Sequence, residues 1–191
     1  MKKYQIIYAD PPWVYKDKSK SHGGGAESHY TCIPTDEMCK WELPAEKDSV
    51  LLMWCTYPML EEGLKLMAAW GFKFKTVAFT WVKTNKDGSV YMGMGRHTRG
   101  NAEICMLGTK GKGVAREHCG IYNTQLHGRG RHSEKPDAFR EDIVRLYGEN
   151  KTRLEMFARK PSEGWDVWGN EVECTAELGS IEATSGSMQR E

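Results

Sequence analysis

No stretch of the 191-residue sequence is apolar over the length of a membrane-spanning helix, which excludes such a span. The start, Met1-Lys2-Lys3, enters a strand pattern at once and has no signal-peptide h-region, so a cytoplasmic protein is expected. Cysteine is sparse and scattered. Cys32, Cys39, Cys55, Cys105, Cys119 and Cys174 form no C-x-x-C pair and match no zinc spacing, so neither a metal site nor a disulfide framework is expected. Cys55 and Cys105 lie in apolar runs and read as buried thiols. Charge of one sign is also lacking. The net charge is +1, so any nucleic-acid contact must come from local patches. No internal repeat is visible. The chain suits one domain with a sizeable core, expected over residues 1–173. Residues 174–191 are rich in Thr, Ser, Gly and Glu and are expected to form a disordered tail.

What is present begins with Asp10-Pro11-Pro12-Trp13. It follows the run Tyr4 to Ala9, which reads as a buried strand. Two prolines forbid continuation of the ladder. An acid, a turn with carbonyls but no N–H donors, and an indole therefore stand at the carboxyl end of a strand, where ligands bind in open α/β sheets. Such a tetrad suits methylation of a nucleobase amine. Holding both N–H bonds with acceptors pyramidalises the nitrogen and frees its lone pair. Asp10 supplies a carboxylate, the prolines leave only carbonyls, and Trp13 offers a face for an extruded base. The plainer reading is a strand-ending turn with a packed Trp.

Residues 14–27 carry no apolar period and read as a lid-like loop over the site. Thr35 looks like the N-cap of a short helix with acids in its first turn. Continuous apolar runs at 49–55 and 74–82 predict strands. Between them Met59, Leu60, Leu64, Met67, Ala68 and Trp70 recur at helical spacing, and Gly71 stops the helix. Strand alternating with helix predicts a parallel sheet with crossovers. Lys83 and Asn85 belong to a polar turn after a strand and read as structural. A strand over 102–108 carries Glu103, either a substrate contact or a structural ion-pair partner. Residues 110–131 hold five cations against one acid, without period: a solvated loop or a phosphate-contacting one. A helix with an apolar face of Phe139, Ile143, Val144, Leu146 and Tyr147 follows, then strands over 152–158 and 164–171.

Several blocks together resemble the MT-A70 family of N6-adenine methyltransferases, in its short single-domain bacterial and phage form. They are Asp10 to Trp13, His29-Tyr30, Trp81 to Asn85, Glu103 before Leu107 to Gly111, His132 to Pro136, Phe157 to Arg159, and Trp168 to Glu171, spanning residues 4–172. The resemblance implies an α/β fold: a Rossmann-like methyltransferase sheet in permuted order, with the catalytic strand first and the cofactor-binding strands last. It implies S-adenosylmethionine as donor and the N6 amine of adenine in DNA as acceptor. RNA, or a catalytically silent nucleic-acid-binding partner role, are the alternatives. A homodimer is compatible with it. Asp10, Pro11, Pro12 and Trp13 would be catalytic. Tyr30, Glu103 and Lys135 would contact the substrate. Asp10, His132, Lys135, Arg159, Asn170 and Glu171 would hold the cofactor. An acid after a second strand is also the usual ribose partner. The short stretch before Asp10 departs from the eukaryotic pattern and leaves the cofactor's adenine pocket undefined; Lys160-Pro161 and Glu171 also differ from that pattern and leave the fine cofactor contacts open.

Overall fold

The strand that leads into the tetrad, β1 (Tyr4–Ala9), lies inside the sheet rather than at an edge. The structure is a computed structural model and describes residues 1–15, 32–95, 97–130 and 134–178. The remaining elements are α1 (Thr35–Met38), β2 (Ala45–Cys55), α2 (Leu60–Ala69), β3 (Lys73–Thr84), β4 (Ala102–Lys110), β5 (Thr124–Gly128), α3 (Ala138–Tyr147), β6 (Arg153–Met156) and β7 (Asp166–Trp168). They build one seven-stranded sheet in the order β5-β3-β4-β2-β1-β6-β7. The architecture is the expected α/β layering of a Rossmann-like methyltransferase sheet. No described helix is long and apolar enough to cross a membrane.

β1 is parallel to both neighbours, with Ala9 opposite Met53 of β2 and Met156 of β6. The strand–helix alternation predicts a parallel sheet, but the sheet is mixed. β4 runs antiparallel to β2 and β3. The reason is local: β3 and β4 are joined without a crossover helix, so the chain doubles back beside itself. β5 lies within the stretch read as a loop. It pairs parallel with the end of β3, and its alternately exposed residues form a sheet edge.

The central strands are buried on both faces, which is why they read as unbroken apolar runs. Ile7, Ala9, Leu51, Met53 and Cys55 face α2 through Leu66 and Met67. Ile6, Tyr8, Val50, Leu52 and Trp54 face α3 through Phe139, Ile143 and Tyr147. The two-residue period of a strand accounts for the division. Trp54 is seated by a hydrogen bond from its indole N–H to Tyr8 Oη at 2.6 Å and an edge-on contact with Phe139.

Two local expectations change. Thr35 is the first residue of α1, not its cap; Pro34 precedes the helix, and no side-chain cap forms. Residues 174–178 pack back on the sheet. Thr175 N–H donates to Val167 O at 2.9 Å, and Ala176 and Leu178 join the core, so the segment expected to be disordered begins with an ordered return. Residues 179–191 lie outside the described residues.

Candidate active site

β1 stops at Asp10 because neither Pro11 nor Pro12 has an N–H to give. The chain turns at once: Trp13 N–H donates to Pro11 O at 3.0 Å, and Ile33 N–H donates to Pro12 O at 3.0 Å. The Trp13 indole is only 4% exposed, and its N–H donates to Trp54 O at 3.3 Å. Tyr15 adds a second tie to the same segment, 2.9 Å from Thr56 Oγ1. Trp13 therefore clamps the turn to the end of β2, whatever it presents to a ligand.

Around Asp10 the fold assembles charges that lie far apart in sequence. Inversion of β4 puts its second residue, Glu103, at the edge where β1 and β3 end. Lys83 stands near the end of β3, and Lys135 comes from the segment before α3. Lys135 Nζ lies 2.6 Å from Asp10 Oδ2 and 3.2 Å from Glu103 Oε2, and Lys83 Nζ lies 2.5 Å from Glu103 Oε1. The side chains of Lys135, Glu103, Lys83 and Asp10 are 5%, 10%, 21% and 30% exposed, so Asp10 is the open end of the chain.

These environments set the charges. Burial raises the Asp10 carboxyl above its ordinary value; Lys135 opposes this, and the Glu103 charge adds to it. Burial also acts on Glu103, but Lys135 and Lys83 together hold it below the usual carboxylate range. Lys135 is pushed up, because Asp10 and Glu103 outweigh the cost of burying its ammonium. The ammonium also lies 5.6 Å from the Trp54 ring centroid.

A second group of polar residues stands at the neighbouring strand ends. Arg159 Nε lies 3.0 Å from Glu171 Oε1, joining the segments after β6 and β7, and Asn170 is exposed beside them. Phe157, directly after β6, has φ of 61°, a strained value for a bulky residue. Its ring is held by Trp41 at 5.8 Å and Trp168 at 5.6 Å.

The structure thus brings Asp10, Glu103 and Lys135 into contact and pairs Arg159 with Glu171. Tyr30, His132 and the greater part of the 14–27 segment lie outside the described residues. Sequence reasoning missed two members of this edge. Lys83 read as a turn residue, because its partner Glu103 becomes visible only once β4 is known to run backwards. Glu155 sits in β6 with Oε1 2.7 Å from Arg140 Nη1, while its Oε2 is buried without a hydrogen-bond partner among the described residues. The signal was present: an acid inside the otherwise buried strand Arg153 to Met156 needs a reason.

The MT-A70 family profile matches residues 4–171. The type II methyltransferase M.MunI of a Mycoplasma species is 36% identical over 193 aligned positions, which cover 90% of this chain and 78% of that protein. A probable N(6)-adenosine-methyltransferase MT-A70-like protein of Oryza sativa subsp. japonica is 28% identical over 174 positions, 88% of this chain but 23% of that protein. The N6-methyladenosine RNA methyltransferase MTA1 of Cryphonectria parasitica is 26% identical over 178 positions, 88% of this chain and 52% of that protein.

Proposed function

As the chain belongs to the MT-A70 family, we propose that it transfers a methyl group from S-adenosylmethionine to the N6 amine of adenine in DNA. The observation that carries this reading is the Asp10–Lys135 pair, 2.6 Å apart at the open end of a buried charge chain, beside a turn that supplies carbonyls only. DNA is favoured over RNA by size: the type II methyltransferase is matched over 78% of its own length, against 52% for the RNA methyltransferase MTA1 and 23% for the rice adenosine methyltransferase-like protein.

The donor set fits the cofactor. An amino-acid moiety needs a cation for its carboxylate and an acceptor for its ammonium, and Lys135, Asp10 and the Glu155 oxygen that has no partner among the described residues are of those kinds. Ribose hydroxyls need polar partners beyond a strand end, and Asn170, Glu171 and Arg159 stand there. When bound, S-adenosylmethionine supplies an electrophilic methyl group on sulfonium.

The chain's own residues position the acceptor. Asp10 Oδ1 and the Pro11 carbonyl accept the two N–H bonds of the adenine amine. Both are fixed: the turn by Trp13 and Ile33, the carboxylate by Lys135. With the amine held so, the nitrogen pyramidalises and its lone pair is withdrawn from conjugation with the ring. Glu103, anchored by two lysines, is an acceptor at the same edge. The surplus proton departs after transfer, so catalysis is positioning and electrostatics rather than base strength.

The test supplies purified protein with methyl-labelled S-adenosylmethionine and, in separate reactions, adenine-containing duplex DNA, single-stranded DNA and RNA, followed by mass spectrometry of the nucleosides. N6-methyldeoxyadenosine from DNA is the expected product. Label in RNA alone would move the activity to RNA, and binding of S-adenosylhomocysteine without transfer to any of them would leave the silent-subunit reading.

A further inference from the structure

The charge chain at the site ends in a residue with no assigned role. Lys83 takes one oxygen of Glu103, and Lys135 takes the other. Anions and cations alternate from Asp10 through Lys135 and Glu103 to Lys83, so two carboxylates are matched by two ammoniums. Lys135 is the shared cation, and its contact with Asp10 is the shorter of its two. We propose that Lys83 is a positioning residue of the active edge: by occupying the far oxygen of Glu103, it leaves Lys135 bound principally to Asp10.

Lys83 is built to do this. Its backbone N–H donates to Asn101 O at 2.8 Å, and its carbonyl accepts from Tyr91 N–H at 2.8 Å, so both sides of its peptide are fixed. Its ammonium lies 5.0 Å from the Trp81 ring centroid, and that indole is itself held by a hydrogen bond to His127 O at 3.0 Å. A solvated lysine at a strand end would not need its ammonium seated against a fixed indole.

Removal of Lys83 leaves one ammonium between two buried carboxylates. Lys135 is then drawn toward Glu103, which has lost its nearer partner, and Asp10 keeps less of it. Burial already pushes the Asp10 carboxyl upward, so Asp10 becomes the group that takes up a proton. Besides Lys135 and Glu103, the charge of Arg159 after β6 acts on Asp10; the Asp10 charge in turn acts on Glu155 of β6, Tyr8 of β1 and Cys105 of β4, the last two kept neutral by burial. A substitution at position 83 alters none of them chemically.

The experiment follows the Asp10 carboxyl by carbon-13 NMR as pH is varied, with the resonance assigned by its loss in D10N. In K83M the midpoint should rise by about one pH unit or more. It should stay near the wild-type position in K83R. In K83M/E103Q it should return toward wild type, because removing both charges restores one cation for one carboxylate. An unchanged midpoint in K83M, or a shift equally large in K83M/E103Q, would overturn the proposal. Comparison of E103Q with K83M/E103Q serves if K83M alone does not fold: in that background position 83 should have no effect on Asp10, and a shift there is equally fatal. The relevance to methyl transfer rests on the function proposed above, but the titration needs no turnover. An inactive protein with the expected midpoints would therefore count against the function and not against the role of Lys83.

Discussion

The Lys135 ammonium donates to the Asp10 carboxylate across 125 residues of sequence, at 2.6 Å. Two segments of unrelated local character, the end of the first strand and the approach to the last helix, thus meet at a single bond. The bond orients a carboxylate whose side chain is 30% exposed.

Asp10→Asn should abolish most methyl transfer while leaving the fold intact. The amide keeps the shape of the carboxylate but replaces one acceptor oxygen with a donor, which faces the amine N–H or Lys135 wrongly. Loss of a preorganised polar contact of this kind lowers kcat by about 10²- to 10³-fold. Initial rates on adenine-containing oligonucleotides, with circular dichroism as the folding control, provide the check. A rate within threefold of wild type would remove Asp10 from the reaction.

Lys135→Met should destabilise the protein by about 3–5 kcal/mol, because it removes the cation shared by Asp10 and Glu103 and leaves only Lys83, on the far oxygen of Glu103, to offset two carboxylates. Urea unfolding measures this. Added to Lys135→Met, Asp10→Asn should recover part of the loss, since the two residues are in direct contact and their effects do not add.

Much of the frame was legible in the sequence, for physical reasons. Tyr4 to Ala9 reads correctly as a buried strand because both its faces pack, and Gly71 ends α2 in a left-handed conformation, φ 82°, that few other residues accept. Asp10, Glu103 and Lys135 were singled out and are in contact. The direction of β4 was not legible, because strand direction is set by connections and partners rather than by composition. That one inversion hid the meaning of Lys83. β5 escaped because an edge strand such as Thr124-Gln125-Leu126-His127-Gly128 has no buried run to announce it. The clamp role of Trp13 was likewise hidden, since its partner, the Trp54 carbonyl, belongs to another strand.

Glu155 sets a pH dependence of stability whose sign follows from its surroundings. Burial raises its carboxyl above the ordinary value, and Arg140 only partly offsets this. The folded state therefore binds the proton more tightly than the unfolded chain does. Its contribution to stability is full below the ordinary carboxylate range and is lost as pH rises through the raised value. Glu155→Gln removes that loss and keeps an acceptor for Arg140. Thermal unfolding between about pH 4 and pH 7 should show a flatter profile for the variant, with a Tm at neutral pH equal to or above that of wild type. A variant clearly less stable than wild type at neutral pH would mean that the ionised Glu155–Arg140 pair outweighs the cost of its burial.

Gly169 makes the closest approach between the segments that follow β6 and β7. A Cβ there would lie 2.2 Å from Ala158 O and 2.7 Å from Ala158 N, backbone atoms that cannot swing aside as a side-chain tip would. Ala158 N–H also donates to Trp168 O at 3.0 Å, so the same contact registers the two strand ends. Gly169→Ala must push these segments apart, at a cost of about 1–3 kcal/mol or more as overpacking. The displacement falls between Arg159 on one side and Asn170 and Glu171 on the other, the residues proposed to hold the cofactor ribose. Calorimetric titration with S-adenosylhomocysteine should therefore show a loss of affinity larger than that of a control in α2. Gly63→Ala is a suitable control, because its added Cβ meets side-chain atoms rather than backbone, the end methyl of Met106 at 2.6 Å and Cys55 Sγ at 3.0 Å. Equal affinity in the two variants would place the cofactor away from the β6–β7 ends.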